Sequence, residues 1–315
     1  MQKREIIMDI KQQNKTKTNI DKSNKLIHNF PFSIFHFQLS KITLIILLST
    51  ALTTACGSGA NSASFIIAGS TSVQPYVEIL VEEYALKDPE KFIDVQGGGS
   101  SAGIQAVESH TAQIGMSSRN LRETEQHLWS IEIAKDALAI IVNPGNPLIN
   151  PGNPDVSLTL EQIRGIYAAD YVNWNQLGGP DARIHIITRE EGSGTRSAFE
   201  ELVMNDRRIT PGAIVQDSNG SVRQLVSDDP FSIGFISLGL VDEGERPVKA
   251  LRIDGVAPTR NNVLNGDYSL FRSFLFVSIE KPEGNVMEFI EYIRSPEGQK
   301  IMSDEGLIPE FGISD

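Results

Sequence analysis

Arg189-Glu190-Glu191-Gly192-Ser193-Gly194-Thr195-Arg196 joins a strand-like run, Arg183-Ile184-His185-Ile186-Ile187-Thr188, to a helix-like run from Arg196 to Val203. The turn is small and glycine-rich, so backbone N–H groups can come close to a ligand. It opens a helix, where unpaired N–H groups and the positive dipole end attract anions. Arg189 adds a planar fork of donors suited to an oxyanion. Ser193 and Thr195 add hydroxyls, and Gly194 lies between them. These residues form one wall of a tetrahedral oxyanion site if the chain supplies an opposite wall elsewhere.

Three other turns are built the same way. Phe65-Ile66-Ile67-Ala68 reads as a buried strand ending in Gly69-Ser70-Thr71-Ser72. A helix follows, apolar at 73, 76, 77, 80, 81 and 84, with Ser72 expected as its N-cap and Pro75 in its first turn. Phe92 to Gln96 leads into Gly97-Gly98-Gly99-Ser100-Ser101-Ala102-Gly103 and a helix from Ile104. Ile114-Gly115-Met116 leads into Ser117-Ser118-Arg119-Asn120. Asp136 to Val142 is a further strand, and a Pro/Gly/Asn-rich segment to Pro154 reads as a boundary. Beyond it come a helix capped by Thr159, a loop at 171–179, and the 183–196 unit. Then follow a polar turn at Ser218-Asn219-Gly220-Ser221, the strand Ser232 to Ser237, a returning strand from Phe274 to Ile279, and helices from Gly284 and Pro296. Strands alternating with helices over short turns predict a parallel α/β sheet. In such sheets the ligand sits at the carboxyl ends of the strands, where these turns converge.

The formal net charge is −12; residues 1–55 carry +5, so the remainder carries −17. An acidic body argues against nucleic acid or an anionic membrane surface as main partner. An anion would have to be held by local donors. The single cysteine, Cys56, excludes an intrachain disulfide. It follows an apolar run at 42–52, short for a membrane span and suited to a signal-peptide core. Thr53-Thr54-Ala55-Cys56 resembles a bacterial lipobox with Thr in place of the usual Leu, and 56–63 reads as a flexible tether. The polar stretch before residue 41 is too long for a signal n-region and reads as an over-extended start.

Each turn taken alone is an ordinary turn. Four of them at strand ends offer the neutral donors that a tetrahedral oxyanion accepts. Two other motifs compete. Gly99-Ser100-Ser101-Ala102-Gly103 matches a nucleophile elbow and would make Ser101 the nucleophile of a serine hydrolase, but no loop histidine follows near the C-terminus. Gly97-x-Gly99-x-x-Ala102 resembles a dinucleotide fingerprint without the acidic residue at the next strand end. The residues suggest no metal set, no cofactor and no catalytic group. Arg189 could also pair simply with Glu190 or Glu191, and Trp129 and Trp174 read as packing.

In this order, Ala68 to Pro75, Gly97 to Gly103, Ile114 to Arg119 and Arg189 to Arg196 resemble the phosphate-binding proteins of Pst-type ABC importers, over about residues 64–311. The resemblance implies a type II periplasmic-binding-protein fold: two lobes with mixed sheets joined by a two-strand hinge, about 64–142 plus 275–311 and about 143–274. It implies a monomeric extracytoplasmic receptor, lipid-anchored through Cys56 or periplasmic, that captures inorganic phosphate for a membrane permease. Carried over by position, Ser70, Thr71, Ser72, Ser100, Ser101 and Ser118 face Arg189, Ser193, Gly194 and Thr195. Many family members place Asp where Ser118 stands, to accept the proton that phosphate has and sulfate lacks. Asp217, Glu190 or Glu191 could accept it here, or no group does, which leaves sulfate or molybdate as alternative ligands.

Overall fold

The strand–turn–helix units read from the sequence are present in the computed structural model, which describes residues 65–89, 91–149, 155–241 and 247–309. The signal region to residue 55, Cys56, the tether and the end of the first lobe at 310–311 lie outside the described residues. The strands are β1 (Phe65–Gly69), β2 (Ile93–Gly97), β3 (Ile114–Ser117), β4 (Trp129–Val142), β5 (Ser157–Leu158), β6 (His185–Arg189), β7 (Ile214–Gln216), β8 (Ser232–Ser237), β9 (Lys249–Ala250), β10 (Arg252–Ile253), β11 (Phe271–Ser278) and β12 (Ile308–Pro309). The helices are α1 (Gln74–Lys87), α2 (Ser100–Glu108), α3 (Leu160–Tyr167), α4 (Gly194–Phe199), α5 (Asn219–Asp228), α6 (Arg260–Leu264), α7 (Gly284–Arg294) and α8 (Pro296–Asp304).

The main sheet runs β2-β1-β3-β11-β4-β8-β6-β7, with β9 and β12 also paired to β4. The two ends are parallel, β1 with β2 and β3, and β6 with β7 and β8. The middle is antiparallel, because β4 carries the chain across and β11 brings it back. The sheet is therefore mixed rather than wholly parallel. β4 spans both halves: Trp129 to Ala137 pair with β11, and Leu138 to Val142 pair with β8. The change of partner falls beside Asp136, which stands opposite Arg272 of β11.

Apolar spacing places α1 and α7 over the β1–β3 end, where Tyr84, Phe289 and Tyr292 pack together. At the other end Tyr167 of α3, Phe199 of α4 and Phe235 of β8 form one aromatic cluster, with Phe199 and Phe235 stacked at 4.2 Å. Trp174 is fully buried there and donates from Nε1 to Phe231 O at 3.0 Å, so it is packing, as its sequence context suggested. Thr159 caps α3 in a reciprocal box with Gln162. Ser72 does not cap α1. That helix starts at Gln74 with Val73 as the flanking residue, and the Ser72 hydroxyl is engaged by other groups.

Candidate functional site

The first three turns are bound together by backbone. Ser70 N donates to Met116 O, and Gly98 N and Gly99 N both donate to Gly69 O, each at 2.9 Å. Close packing allows this: a Cβ on Gly103 would lie 2.7 Å from Gly69 Cα. Gly99 has φ +90°, a conformation open to glycine, which turns the chain so that Ser100 begins α2 beside these neighbours.

Three of their hydroxyls form a chain. Ser70 Oγ donates to Ser118 Oγ at 2.9 Å, Ser118 Oγ lies 3.3 Å from Ser100 Oγ, and Ser118 N donates to Ser100 Oγ at 3.0 Å. All three serines are buried. Ser101 is half-buried; its N–H donates to Gly192 O at 3.1 Å, and Arg119 Nη2 lies 3.5 Å from its hydroxyl. Among the described residues no histidine contacts the Ser101 hydroxyl, whose side-chain neighbour is the Arg119 guanidinium, so Ser101 lacks the base a nucleophile elbow needs.

The 189–195 turn meets these corners. Arg189 is fully buried. Its Nε and Nη2 each donate to the Glu190 carboxylate at 3.0 Å. Nη2 also reaches Asp217 O at 3.0 Å and Thr71 Oγ1 at 3.3 Å. Nη1 is buried and finds no acceptor among the described residues. The pairing of Arg189 with Glu190 is therefore real, and it orients the guanidinium without saturating it. Ser193 caps α4, accepting from Arg196 N at 3.2 Å, which leaves its own proton to donate. Gly194 lies so close to Ser100 and Ser118 that a Cβ there would overlap both hydroxyls.

Ser72 Oγ is the hub of the opposite side. It accepts from Asn219 Nδ2 at 2.8 Å and from Arg272 Nη2 at 3.0 Å, and lies 2.8 Å from Thr195 Oγ1. Two donors occupy both lone pairs, so Ser72 must give its proton to Thr195. The Thr195 proton is then the one directed outward. All ten sequence-predicted binding residues thus come together, Ser101 at the edge.

Arg119 is not a free cation of this site. Its guanidinium forms two bonds to the Glu125 carboxylate, at 2.7 and 2.8 Å, and these hold Glu125 below the usual carboxylate range. Of the three carboxylates that could replace the missing Asp, Glu190 is clamped to Arg189, while Glu191 and Asp217 are exposed. Three further residues escaped the sequence reading: Asn219, Asp136 and Arg272. Burial pushes the Asp136 carboxyl up, against the attraction of Arg272 and the hydrogen bond from Ser237. A charged residue at the head of the buried apolar run Ala137 to Val142 was the available signal for Asp136, since buried charge is rare without a partner.

Two lobes on shared crossing strands, with polar turns converging at one place, define a solute-binding protein of the periplasmic-binding-protein type. The chain belongs to the Pst-type phosphate-binding proteins of the PBP superfamily, whose domain matches residues 54–297. It is 31% identical over 253 residues to the phosphate-binding protein PstS of Bacillus subtilis, covering 79% of this chain and 81% of that one. It is equally 31% identical to PstS of Borreliella burgdorferi, over 85% of this chain and 97% of that one. Among solved structures it is similar to a phosphate ABC transporter substrate-binding protein from Clostridium perfringens with bound phosphate, at 38% identity and a TM-score of 0.72, covering 78% of this chain and 99% of that one. An ABC-type phosphate transport receptor from Vibrio cholerae gives 37% identity and a TM-score of 0.63, over 78% of this chain and 99% of that one.

Proposed function

We propose that this chain captures inorganic phosphate between its lobes and delivers it to the membrane permease of an ABC importer. It does no chemistry on its ligand. The observation that carries this reading is the buried Nη1 of Arg189, without an acceptor among the described residues, on a guanidinium whose Nη2 reaches across to Thr71 of the first turn. In this reading the lobes comprise about 64–142 plus 275–311 and about 143–274, and the ligand is bound by Ser70, Thr71, Ser100, Ser101, Ser118, Arg189, Ser193, Gly194 and Thr195, with Ser72 acting through the Thr195 hydroxyl to which it gives its proton. Each lobe holds only part of the donor set, so the closed arrangement gains most from the anion. Binding is then a population shift toward closure.

Ser118 bears on selectivity. A carboxylate at this position would accept a proton from phosphate and repel sulfate. A hydroxyl in the Ser70–Ser118–Ser100 chain can rotate to accept that proton, but it carries no charge to repel sulfate, so the discrimination it gives is weaker than a carboxylate's. Calorimetric titration of the purified protein is expected to give one-site binding of phosphate and weaker binding of sulfate or molybdate. Equal heats for phosphate and sulfate would defeat the phosphate reading, and no heat with phosphate would defeat the receptor reading itself.

The anchor completes the proposal. Acylation of Cys56 would hold a monomeric receptor at the outer face of the cell membrane, next to its permease. Cys56→Ser is expected to move the protein from the membrane fraction to the soluble one; retention in the membrane fraction would remove the lipid anchor from the account.

A further inference from the structure

Arg272, near the start of β11, flanks the same turn as Arg189 and is arranged in the same way. Its Nε and Nη2 donate to Asp136 Oδ2 at 3.1 and 3.0 Å. Nη2 also donates to Ser72 Oγ at 3.0 Å. Its Nη1 is buried and finds no acceptor among the described residues. Arg189 repeats each element: Nε and Nη2 on Glu190, Nη2 on Thr71 Oγ1, and Nη1 without an acceptor. Two consecutive hydroxyls of one turn are therefore gripped by two different guanidiniums. Each guanidinium is oriented by its own carboxylate and keeps one nitrogen in reserve.

A purely structural role accounts for only part of this. Asp136 and Arg272 are a cross-strand pair on β4 and β11, and they staple the crossing strands. A staple explains the bonds from Nε and Nη2 to the carboxylate. It leaves unexplained the bond to Ser72 and the buried Nη1, and well-packed apolar residues staple strands at least as well as a buried ion pair does. The two arginines are also mutually unfavourable. Burial lowers the pKa of Arg272, Asp136 opposes that, and the positive charge of Arg189 adds to the lowering. A fold that holds two guanidiniums against one turn gains from an anion that both can reach.

We propose that Arg272 is a second anion-binding arginine, which with Arg189 brackets the Thr71–Ser72 turn and donates through Nη1 to the bound oxyanion. The proposal rests on reading this place as the phosphate site. Its consequence is a preference for charge state. Arg189, Glu190, Arg272 and Asp136 sum to zero, as do Arg119 and Glu125 beside Ser101; Glu191 and Asp217 are exposed to water, and Ser118 adds no negative charge. A doubly charged anion therefore gains two cationic contacts and meets no carboxylate at position 118. Affinity for total phosphate should rise across the pH range in which phosphate acquires its second charge.

The test is calorimetric titration of inorganic phosphate into the full chain, into Arg272→Gln, and into Asp136→Asn/Arg272→Gln. The double variant removes both buried charges together, so no lone ion is left to unfold the sheet. Both variants are expected to bind at least about thirtyfold more weakly than the parent and, keeping Arg189 alone, to show a shallower rise of affinity with pH. Binding by the variants within threefold of a parent that itself binds phosphate would overturn the proposal. A parent that binds no phosphate would overturn the phosphate reading instead. In the unsubstituted protein, nitrogen NMR of the arginine side chains is expected to show the Arg272 Nη signals shifting on saturation with phosphate. Signals that stay put while Arg189 responds would assign Arg272 to the staple alone.

Discussion

Arg189→Met is expected to weaken phosphate binding by about 3 kcal/mol, roughly two orders of magnitude, with the fold intact. The residue is wholly buried, and its Nη1 is a cationic donor with no acceptor among the described residues. Methionine keeps the volume of the stem and removes every charge-assisted bond. The carboxylate left behind, Glu190, has a side chain 31% exposed, so water can solvate it once its partner is gone. The loss should therefore appear in affinity far more than in stability. Calorimetry together with a thermal melt separates the two. Affinity within threefold of the parent would remove Arg189 from the binding site.

The second large effect comes from the smallest change. Gly194→Ala is expected to weaken phosphate binding by about 2 kcal/mol, the scale on which overpacking costs a close-packed contact. A methyl group there overlaps the hydroxyls of Ser100 and Ser118 and lies 3.1 Å from Ser100 Cβ. Those hydroxyls cannot retreat freely, because Ser100 Oγ also accepts from Ser118 N. The backbone at 194 is helical and accepts alanine without strain; in the proposed division of lobes Gly194 lies opposite Ser100 and Ser118, so the clash should arise only on closure. Melting without phosphate should be nearly unchanged, and the stabilisation that phosphate gives the parent should be lost. A variant stabilised by phosphate as fully as the parent would show that closure does not bring 194 against 100 and 118.

Much of this site was legible in the sequence because its residues are local. Gly69-Ser70-Thr71-Ser72 and Gly192-Ser193-Gly194-Thr195 announce themselves as strand-to-helix corners, and such corners have a known geometry. The mixed direction of the sheet was less visible. Nothing in the spacing of Asp136 to Val142 tells that the strand begins at Trp129 and carries two sets of partners. Asp136 and Arg272 are 136 positions apart and meet only because β4 and β11 cross between the lobes. Asn219 sits in a polar turn like the others, yet only the fold brings its amide to Ser72. Ser72 itself looked like a helix cap, which is the usual work of a serine before a helix. Its capture by three side chains from elsewhere in the chain is a tertiary event that local preference does not encode.

Hydrogen exchange measured while phosphate is titrated in tests the central claim most directly. If one anion is shared by corners from both lobes, the segments around 70–72, 100–101, 117–119 and 192–195 should gain protection together, at one phosphate per chain and with one midpoint. Protection confined to the corners of a single lobe, or a response elsewhere with these segments unchanged, would contradict the claim.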